Sequence, residues 1–452
     1  METNEEKSGI AVHIETYGCQ MNKYDSEVIA GILQNEGYRK VEHPDSADVI
    51  LINTCSVREH AENRALGRAD VLSGWKKERP DRKLGIIGCV AQRLGSDLLR
   101  SRPYLDFIVG PDAYQRLPEI IGNGIHGPHA VTPCNPEETY DTVRPVRTPG
   151  ICGWISIARG CDNFCSYCIV PYTRGRERSR PADRILEEIE DMVRQGFREV
   201  TLLGQNVNSY DDGATDFAGL LDRVSRIPDL PRIRFMTSHP KDFTQEILDV
   251  MAARETVCPH IHLPVQAGSN RVLQRMNRRY TREHYLSLVR AARETVPGVS
   301  LTSDVMVGFP GETETDFRET LDLMREVRFD EAYTYRYSPR EGTKAVEFND
   351  EIPEQERLRR LDAVIRLQRE ISKEIKQALV GQKHQVLPEA VSKKSKDEWM
   401  GRTLTNHVVV IPASDADLGQ PVDVIIESLQ GSTLRGRVIN AFTNQGGTDV
   451  DR

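Results

Sequence analysis

Three cysteines in the first part of the chain each follow a predicted strand directly, and this pattern restricts the folds open to the sequence. Cys19, Cys55 and Cys89 are 36 and 34 residues apart, about one strand–helix–strand unit each time. The apolar run at residues 49–52 is typical of a strand buried in a parallel sheet. The carboxyl ends of parallel strands lie on one edge of a sheet. The pattern therefore predicts a parallel α/β domain with three thiols converging at that edge, in preference to three unrelated core cysteines.

A second set of three cysteines lies in one short loop. Cys161, Cys165 and Cys168 have the spacing C-x3-C-x2-C. A 4Fe–4S cluster usually takes four cysteines, so three would leave one iron open to a small molecule, like the open position of a catalytic metal centre. Zinc sites favour C-x2-C pairs or a nearby histidine, and no histidine lies between Cys161 and His239. The loop therefore predicts a catalytic iron–sulfur cluster.

Composition narrows the class of protein. The chain has 452 residues and nine cysteines. The odd number of cysteines and the acidic, polar residues 1–7, which do not resemble a signal peptide, argue against a disulfide framework and predict a cytoplasmic location. No apolar run is long enough for a membrane span. The net charge of −8 disfavours nucleic-acid binding overall, but arginine-rich runs at 172–180 and 271–282 are open to two interpretations, a phosphate-binding surface or internal ion pairs.

The patterning divides the sequence into three domains and a linker. Residues 10–127 alternate strands and helices and form the N-terminal α/β domain. Residues 128–149 hold five prolines without an apolar period and are interpreted as a linker. Residues 150–380 contain six predicted β/α units, which suit a partial (β/α)6 barrel with its chemistry at the strand carboxyl ends. Residues 381–445 alternate like strands and predict a small antiparallel β-barrel.

With both cysteine sets placed, residues 10–442 resemble the radical S-adenosylmethionine (SAM) methylthiotransferases. That family has an N-terminal cluster domain, a radical SAM core and a C-terminal TRAM domain, a small RNA-binding β-barrel. Residues 17–22 and 53–59 resemble the branch that acts on N6-dimethylallyladenosine beside the anticodon of tRNA. Ala267 is one departure, since serine is expected there, but a small residue is kept. Other matching segments are 203–210, 262–269, 304–313, 392–396, 400–406 and 432–436.

The resemblance implies a transferase with two 4Fe–4S clusters. Cys161, Cys165 and Cys168 would hold the cluster that cleaves SAM to a 5′-deoxyadenosyl radical, and the other three cysteines would hold an auxiliary cluster that supplies sulfur. A second SAM would provide the methyl group, so that a methylthio group replaces the hydrogen at C2 of the adenine. The implied partners are the tRNA anticodon stem–loop and an external reductant such as flavodoxin or ferredoxin, and the chain is expected to act as a monomer.

Further contacts with SAM or RNA are predicted for single residues. For each of them the alternative is that its loop packs for structural reasons only. Tyr167, before the third cysteine of its motif, is expected beside the adenine of SAM. Cys134, Cys152 and Cys258 belong to neither set and are interpreted as ordinary thiols. The other predicted SAM contacts, at strand ends, are Gly204, Gln205, Asn206, Ser238, Gln266, Val307 and Phe309. The predicted RNA contacts are Lys393, Lys394, Lys396 and Arg402.

Two alternatives for the function stay open at this point. The same chemistry could act on an aspartate of a ribosomal protein or on threonylcarbamoyladenosine in tRNA. A non-catalytic iron–sulfur RNA-binding protein would bind clusters but leave SAM intact. Detection of 5′-deoxyadenosine after reduction separates this second alternative from a radical enzyme.

Overall fold

The computed structural model describes residues 9–57, 59–122 and 128–440. Residues 1–8, on which the expected location partly depended, and the predicted boundary positions 127 and 441–445 lie outside the described residues. Along the chain follow a parallel sheet, an open parallel barrel and a small closed barrel, so the predicted fold class is confirmed. Among the described helices, none combines the length and the apolar composition that crossing a bilayer would require.

The N-terminal part is built on a six-stranded parallel sheet. Its strands are β1 (Ala11–Tyr17), β2 (Arg39–Lys40), β3 (Val49–Thr54), β4 (Lys83–Gly88), β5 (Phe107–Val109) and β6 (His129–Val131). Its helices are α1 (Gln20–Asn35), α2 (Glu59–Glu78), α3 (Cys89–Leu94), α4 (Ser96–Ser101) and α5 (Leu117–Gly122). The strands lie in the order β2-β1-β3-β4-β5-β6.

Strand β3 shows why this sheet is buried on both faces. Successive side chains of a strand point to opposite faces. Val49 and Leu51 pack into one apolar cluster, whereas Ile50 and Ile52 pack into a second cluster on the other face. A continuous apolar run is therefore satisfied only with layers on both sides, as expected for a parallel sheet.

The linker predicted over residues 128–149 needs correction, because its start belongs to the sheet. Strand β6 pairs in parallel with β5, and Val109 lies opposite Val131. Further along, the buried Tyr140 stacks on Tyr114 and donates its hydroxyl to the Pro111 carbonyl at 2.7 Å. A three-residue edge strand and one buried aromatic ring produce no apolar period, so the sequence pattern could not reveal them.

The central part is an open barrel of parallel strands. Its strands are β7 (Cys152–Ser156), β8 (Ala158–Arg159), β9 (Arg178–Ser179), β10 (Glu199–Leu203), β11 (Arg232–Phe235), β12 (His260–His262), β13 (Ser300–Val307) and β14 (Glu331–Arg336). Its helices are α6 (Val170–Arg174), α7 (Ala182–Arg194), α8 (Phe217–Val224), α9 (Gln245–Ala253), α10 (Asn270–Arg275), α11 (Arg282–Thr295), α12 (Glu314–Val327) and α13 (Glu354–Ala378).

Six of these strands form the wall of the barrel. They run β7-β10-β11 and β12-β13-β14, and the two halves join where the Cys258 N–H donates to the Ile233 carbonyl at 2.9 Å. Strands β8 and β9 form a separate antiparallel pair beside β7. The carboxyl ends of the six wall strands consequently share one edge, where barrels of this type carry chemistry.

The C-terminal part is a closed five-stranded barrel. Its strands are β15 (Lys383–Val391), β16 (Glu398–Thr403), β17 (Val408–Pro412), β18 (Val422–Gln430) and β19 (Thr433–Asn440). The turn between β16 and β17 packs against the amino-terminal ends of the wall strands. There Arg234 donates to the Thr403 carbonyl and Ser300 donates to the Thr405 carbonyl, both at 2.8 Å. The small barrel is thus held at the end of the large barrel opposite its cysteine loop.

The arginine-rich run at 172–180 forms internal ion pairs rather than a phosphate-binding surface. Arg174, Arg178 and Arg180 are all buried. They pair with Asp25, Asp112 and Asp141 at 2.7, 2.9 and 2.6 Å respectively. These three carboxylates precede the barrel in sequence, so the arginines fasten it to the N-terminal part. In the second run, Arg271, Arg275 and Arg282 are likewise paired, with Asp316, Asp350 and Glu326.

Gly88, between β4 and Cys89, offers a test of this fold. Its φ is +92°, and a Cβ built there would lie 2.6 Å from the Thr54 carbonyl oxygen. We expect Gly88→Ala to lower the free energy of unfolding by about 2–4 kcal/mol, because a left-handed backbone and a clash add together. Gly74→Ala is the matched control: a Cβ there meets nothing within 4 Å, and a helical alanine should be stabilising by about 0.5–1 kcal/mol. Urea denaturation that finds both variants equally stable would contradict the geometry.

Candidate active site at the junction of two cysteine triads

The structure brings Cys19, Cys55 and Cys89, here called the N-terminal triad, to one edge of the sheet. Strands β1, β3 and β4 are neighbours, and their register places Tyr17 opposite Thr54 and Thr54 opposite Gly88. Each cysteine follows its strand within two residues, so the three lie at one level. Cys55 and Cys89 are buried, and Cys19 is partly exposed at the start of α1.

A network of asparagines holds the turns that carry this triad. The Asn22 side chain accepts from the Cys19 backbone N–H at 3.3 Å and donates to the Thr54 carbonyl at 3.1 Å. Asn53 donates back to the Asn22 carbonyl at 2.9 Å. A Cβ on Gly18 would lie 2.3 Å from Asn22 Oδ1, so a glycine is needed for the turn to close. The β1 and β3 turns are therefore locked to each other.

The cysteines of the N-terminal triad shift one another's pKa values. The closeness of the Cys19 and Cys55 thiols lowers the pKa of Cys19 and raises the pKa of Cys55. The positive charge of Arg174 also lowers the pKa of Cys19. The direction of the shift at Cys19 favours the thiolate, the form that binds metal.

The second set, Cys161, Cys165 and Cys168, here called the core triad, occupies the loop between β8 and α6. The segment after α10 holds this loop from outside. Asn277 donates to the carbonyls of Asn163 and Phe164 at 3.3 and 3.0 Å. The Ser166 N–H donates to the Met276 carbonyl at 3.0 Å. The loop is consequently fixed by backbone contacts that do not involve its sulfurs.

Two side chains donate to sulfurs of the core triad. Asn163 Nδ2 lies 3.5 Å from Cys161 Sγ, and Arg278 Nη1 lies 3.5 Å from Cys165 Sγ. Burial raises the pKa of Cys161 to about 11 and that of Cys168 to about 12, so these thiolates need a bound cation to offset their desolvation. Hydrogen bonds to the sulfurs are among the factors that set cluster potentials.

Helix α6 connects the two triads. It begins two residues after Cys168 and ends at Arg174, whose guanidinium pairs with Asp25 on α1 and interacts electrostatically with Cys89 and Cys19. Helix α3, which starts with Cys89, packs against α6. The two triads therefore flank the same short helix at the junction of the sheet and the barrel.

The spacing of the sulfurs favours clusters over single ions. Three thiolates on one tetrahedral zinc would lie ~3.8 Å apart, from a Zn–S bond of about 2.3 Å. Within the described ranges, only Cys152, Glu199 and Glu389 bring three such donor atoms within 4.8 Å of one another. Their carboxylates are already paired, Glu199 with Arg234 and Glu389 with Arg402, at 3.0 and 2.7 Å. Neither triad is compact enough for one shared ion, whereas in a cluster each thiolate binds its own iron.

Buried polar atoms at the same edge fit a polar ligand such as SAM. Asn206 and Ser238 follow β10 and β11, and within the described part of the chain Asn206 Oδ1 and Ser238 Oγ are buried without a hydrogen-bond partner. His239 Nε2 is in the same situation, and burial lowers the pKa of this histidine to about 2. Buried groups of this kind are normally hydrogen-bonded, so three unsatisfied atoms after the carboxyl ends of β10 and β11 fit a polar ligand there.

The other predicted SAM contacts differ in their placement. Gly204 follows β10, and Gln205 Oε1 accepts from the Gly160 N–H at 2.5 Å, directly before the core triad. Tyr167 lies among Cys165, Cys168 and Arg278. Gln266 has a φ of +66°, and its backbone bonds to Asp304 and Met306 of β13. All remain predicted contacts.

Val307 and Phe309 are less suited to this role. Both are buried. The Phe309 ring packs edge-on against Tyr337 and Phe348, with centroid distances of 5.4 and 6.1 Å. Its side chain is therefore part of the apolar core, and the predicted contact of Val307 and Phe309 with the adenine stays a prediction. An aromatic residue in a loop after a strand gives no sequence signal that separates these two roles.

The predicted RNA contacts separate into two groups. Lys393, Lys394 and Lys396 are exposed in the turn between β15 and β16. Arg402 instead pairs with Glu389 at 2.7 Å and with Glu199 at 3.4 Å, where the small barrel meets the large one. A guanidinium held by two carboxylates is poorly placed to bind phosphate, so the prediction for Arg402 is not supported.

Sequence reasoning missed a basic groove beside the small barrel. Arg369 and Lys373, one turn apart on α13, line a cavity of about 530 Å³ with Tyr333 of β14 and Ser432 of the β18–β19 turn. The Tyr333 side chain is 43% exposed. Cations with an exposed aromatic ring suit a single-stranded nucleic acid. Both cations lie in a helix rich in charges of both signs, so no basic run marks them.

Asn163, Arg278 and Arg174 were also missed by sequence reasoning, because only the fold brings them close to the cysteine sulfurs.

Sequence models of protein families match three parts of the chain. They are the radical SAM superfamily at residues 155–324, the uncharacterized protein family UPF0004 at residues 11–110 and the TRAM domain at residues 377–439. The matches coincide with the barrel, the sheet and the small closed barrel.

Curated relatives match nearly the whole chain. A tRNA-2-methylthio-N(6)-dimethylallyladenosine synthase of Parabacteroides distasonis is 47% identical over 435 residues, which are 94% of this chain and 95% of the relative. Proteins of the same name from Chloroherpeton thalassium and Moorella thermoacetica are 46% and 44% identical, over 95% and 94% of this chain and 96% and 98% of theirs.

Solved structures share the fold at much lower identity. The radical SAM methyltransferase TsrM of Kitasatospora setae, with cobalamin and a [4Fe-4S] cluster bound, aligns with a TM-score of 0.58 and 17% identity over 75% of this chain and 74% of its own. The cobalamin-dependent radical SAM enzyme OxsB aligns with a TM-score of 0.53 and 14% identity over 79% of this chain and 57% of its own.

Proposed function

The chain belongs to the tRNA-2-methylthio-N(6)-dimethylallyladenosine synthase family, and we propose that it replaces the C2 hydrogen of N6-dimethylallyladenosine beside the tRNA anticodon with a methylthio group. The observation that carries the proposal is the junction at α6, where the core triad and the N-terminal triad meet. A site that only transferred electrons would need neither a second triad nor three-cysteine ligation.

The chemistry of the substrate explains why two centres are needed. The C2–H bond of adenine is strong and unactivated, so acid–base catalysis is poorly suited to it. When bound, the cluster of the core triad supplies one-electron cleavage of SAM, and the cluster of the N-terminal triad supplies the sulfur. The cofactors thus carry the difficult steps, and the protein provides binding, orientation and exclusion of water.

The residues of the chain have identifiable tasks in this scheme. Asn163 and Arg278 offset charge on the core triad by donating to its sulfurs. The unsatisfied atoms of Asn206, Ser238 and His239 are available to orient SAM at the same edge. Helix α6 lies between the two triads, and the ion pair of Arg174 with Asp25 fastens it to the N-terminal part.

Substrate binding is assigned to the small barrel and the groove beside it. The barrel matches the TRAM domain, and the exposed lysines of its β15–β16 turn can contact tRNA phosphates. The groove with Arg369, Lys373 and Tyr333 leads from this barrel to the edge strand β14. Our proposal includes a cytoplasmic location, which a tRNA substrate favours, a flavodoxin or ferredoxin as the external reductant, and action as a monomer.

Nucleoside mass spectrometry tests the function. Reconstituted protein with SAM, reductant and tRNA containing N6-dimethylallyladenosine should form the 2-methylthio nucleoside and 5′-deoxyadenosine. Cys19→Ala should lower the iron content and abolish the methylthio product, yet still form 5′-deoxyadenosine, because the core triad is intact. Cys134→Ala, which removes an exposed cysteine outside both triads, is the control and should behave like the parent protein. Full methylthiolation by Cys19→Ala would refute the role of the N-terminal triad, and product on a ribosomal protein instead of tRNA would refute the substrate.

Binding of tRNA by the lysine-rich turn is tested separately. Replacing Lys393, Lys394 and Lys396 with glutamine should weaken tRNA binding and reduce the slope of log K against log[salt] by about 2–3, since each lost phosphate contact removes about 0.7–0.9. A control protein with Lys77, Arg100 and Arg116 neutralised, all exposed on the N-terminal part, should keep the slope. Equal slopes for the turn variant and the parent protein would remove this turn from the RNA interface.

A further inference from the structure

Arg174 has an unsatisfied terminal nitrogen in a buried position. Its side chain is 4% exposed, and within the described part of the chain Nη1 has no hydrogen-bond partner. Other buried arginines, such as Arg159 and Arg178, leave only the single N–H of Nε unpaired. A buried donor without a partner costs about 1–3 kcal/mol, and more when it is charged. A terminal guanidinium nitrogen in this state therefore indicates a missing acceptor.

The charges around Arg174 indicate the sign of that acceptor. Asp25 is fully buried and pairs with both Arg159 and Arg174, at 2.8 and 2.7 Å. One carboxylate between two guanidinium groups leaves an excess positive charge, and buried charges need compensation. Tyr114, the other close group, is a phenol whose pKa burial raises further, so it supplies no negative charge. The missing acceptor is consequently an anion.

The position of Arg174 identifies where this anion lies. Apart from Asp25 and Tyr114, the groups that interact with it electrostatically include Cys89 and Cys19 of the N-terminal triad. The residue after it, Gly175, accepts through its carbonyl from the Cys161 N–H at 3.2 Å. Gly175, next to Arg174, is thus held by the loop of the core triad, and Arg174 itself interacts with the N-terminal triad. The anionic groups that this position offers are sulfurs, either the thiolates of the triad or the sulfide of a cluster that they would hold.

We propose that Arg174 Nη1 donates a hydrogen bond to anionic sulfur at the N-terminal triad, and that Arg174 is a binding residue for the sulfur that is transferred. This inference rests on the proposed function. Two sources share the same chemistry, an inorganic sulfide of the cluster itself and a sulfide added from solution. Asp25 keeps the guanidinium in place, and Arg159 satisfies Asp25 from its other side.

The test uses full-length protein in which the core triad is replaced by alanine, so that only the N-terminal cluster is reconstituted. Hydrosulfide is titrated and followed by electron paramagnetic resonance, and the midpoint potential is measured without added sulfide. The variants are Arg174→Gln, Arg174→Lys and the control Arg178→Gln, which removes an equally buried arginine that pairs with Asp112. Thermal melting checks that each variant folds. If Arg174→Gln does not fold, Arg174→Met, which keeps an unbranched side chain but has neither the charge nor a hydrogen-bond donor, carries the test with the same expected loss of hydrosulfide affinity.

The expected result is a loss of hydrosulfide affinity of about tenfold or more in Arg174→Gln, the size of one charge-assisted hydrogen bond. We expect Arg174→Lys to retain affinity within about threefold and Arg178→Gln within about twofold. An unchanged affinity with a midpoint potential lowered by ~59 mV, a tenfold shift for one electron, would assign the contact to the cluster's own sulfide. Unchanged affinity and unchanged potential would overturn the proposal.

This test can fail independently of the proposed function, because it uses neither tRNA nor SAM. If the parent protein does not methylthiolate tRNA, the proposed function fails while the role of Arg174 is still measured. If the parent protein methylthiolates tRNA but Arg174→Gln binds sulfide and keeps its potential as the parent does, only the inference about Arg174 is lost.

Discussion

The ion pairs of Asp25 with Arg159 and Arg174 are the contact on which the arrangement of the site depends. All three side chains are almost completely buried, and the two arginines lie on either side of the core triad in sequence. Removing one partner of such a buried pair typically costs about 3–5 kcal/mol. The interaction is directional, since each guanidinium binds a different carboxylate oxygen. It therefore fixes the orientation of the sheet edge toward the cysteine loop as well as its distance from it.

The two triads differ in their electrostatic surroundings, and this difference suits two separate tasks. The core triad lies in a loop where burial raises the pKa of Cys161 and of Cys168, and Arg278 already donates to Cys165 there. The N-terminal triad lies beside an arginine with an unused donor. The core triad is therefore suited to serve as a fixed set of ligands for one cluster. The N-terminal triad has positive charge available nearby for an additional anion, as a sulfur donor requires.

Much of this arrangement follows from the local sequence, because the register of parallel strands places residues at equivalent strand ends next to one another. The three N-terminal cysteines could be predicted to converge, because each lies within two residues of the end of a parallel strand and the ends of adjacent strands lie side by side. The placement of Asn206 and Ser238 after β10 and β11 follows from the same rule. Residues whose roles depend on partners far away were not predictable: Arg174 and Asp25 are 149 positions apart, and their runs look like ordinary charged surface. The contacts of Arg402 with Glu389 and of Phe309 with Tyr337 were hidden from the sequence for the same reason.

We infer that both triads hold clusters and that the two clusters face one space. Electron paramagnetic resonance of the protein with both clusters reduced tests this most directly, against two variants that each lack the cysteines of one triad. We expect the spectrum of the doubly loaded protein to show magnetic coupling and faster relaxation that neither variant shows, because both triads flank α6. A spectrum equal to the sum of the two variants would place the clusters far apart and contradict the account.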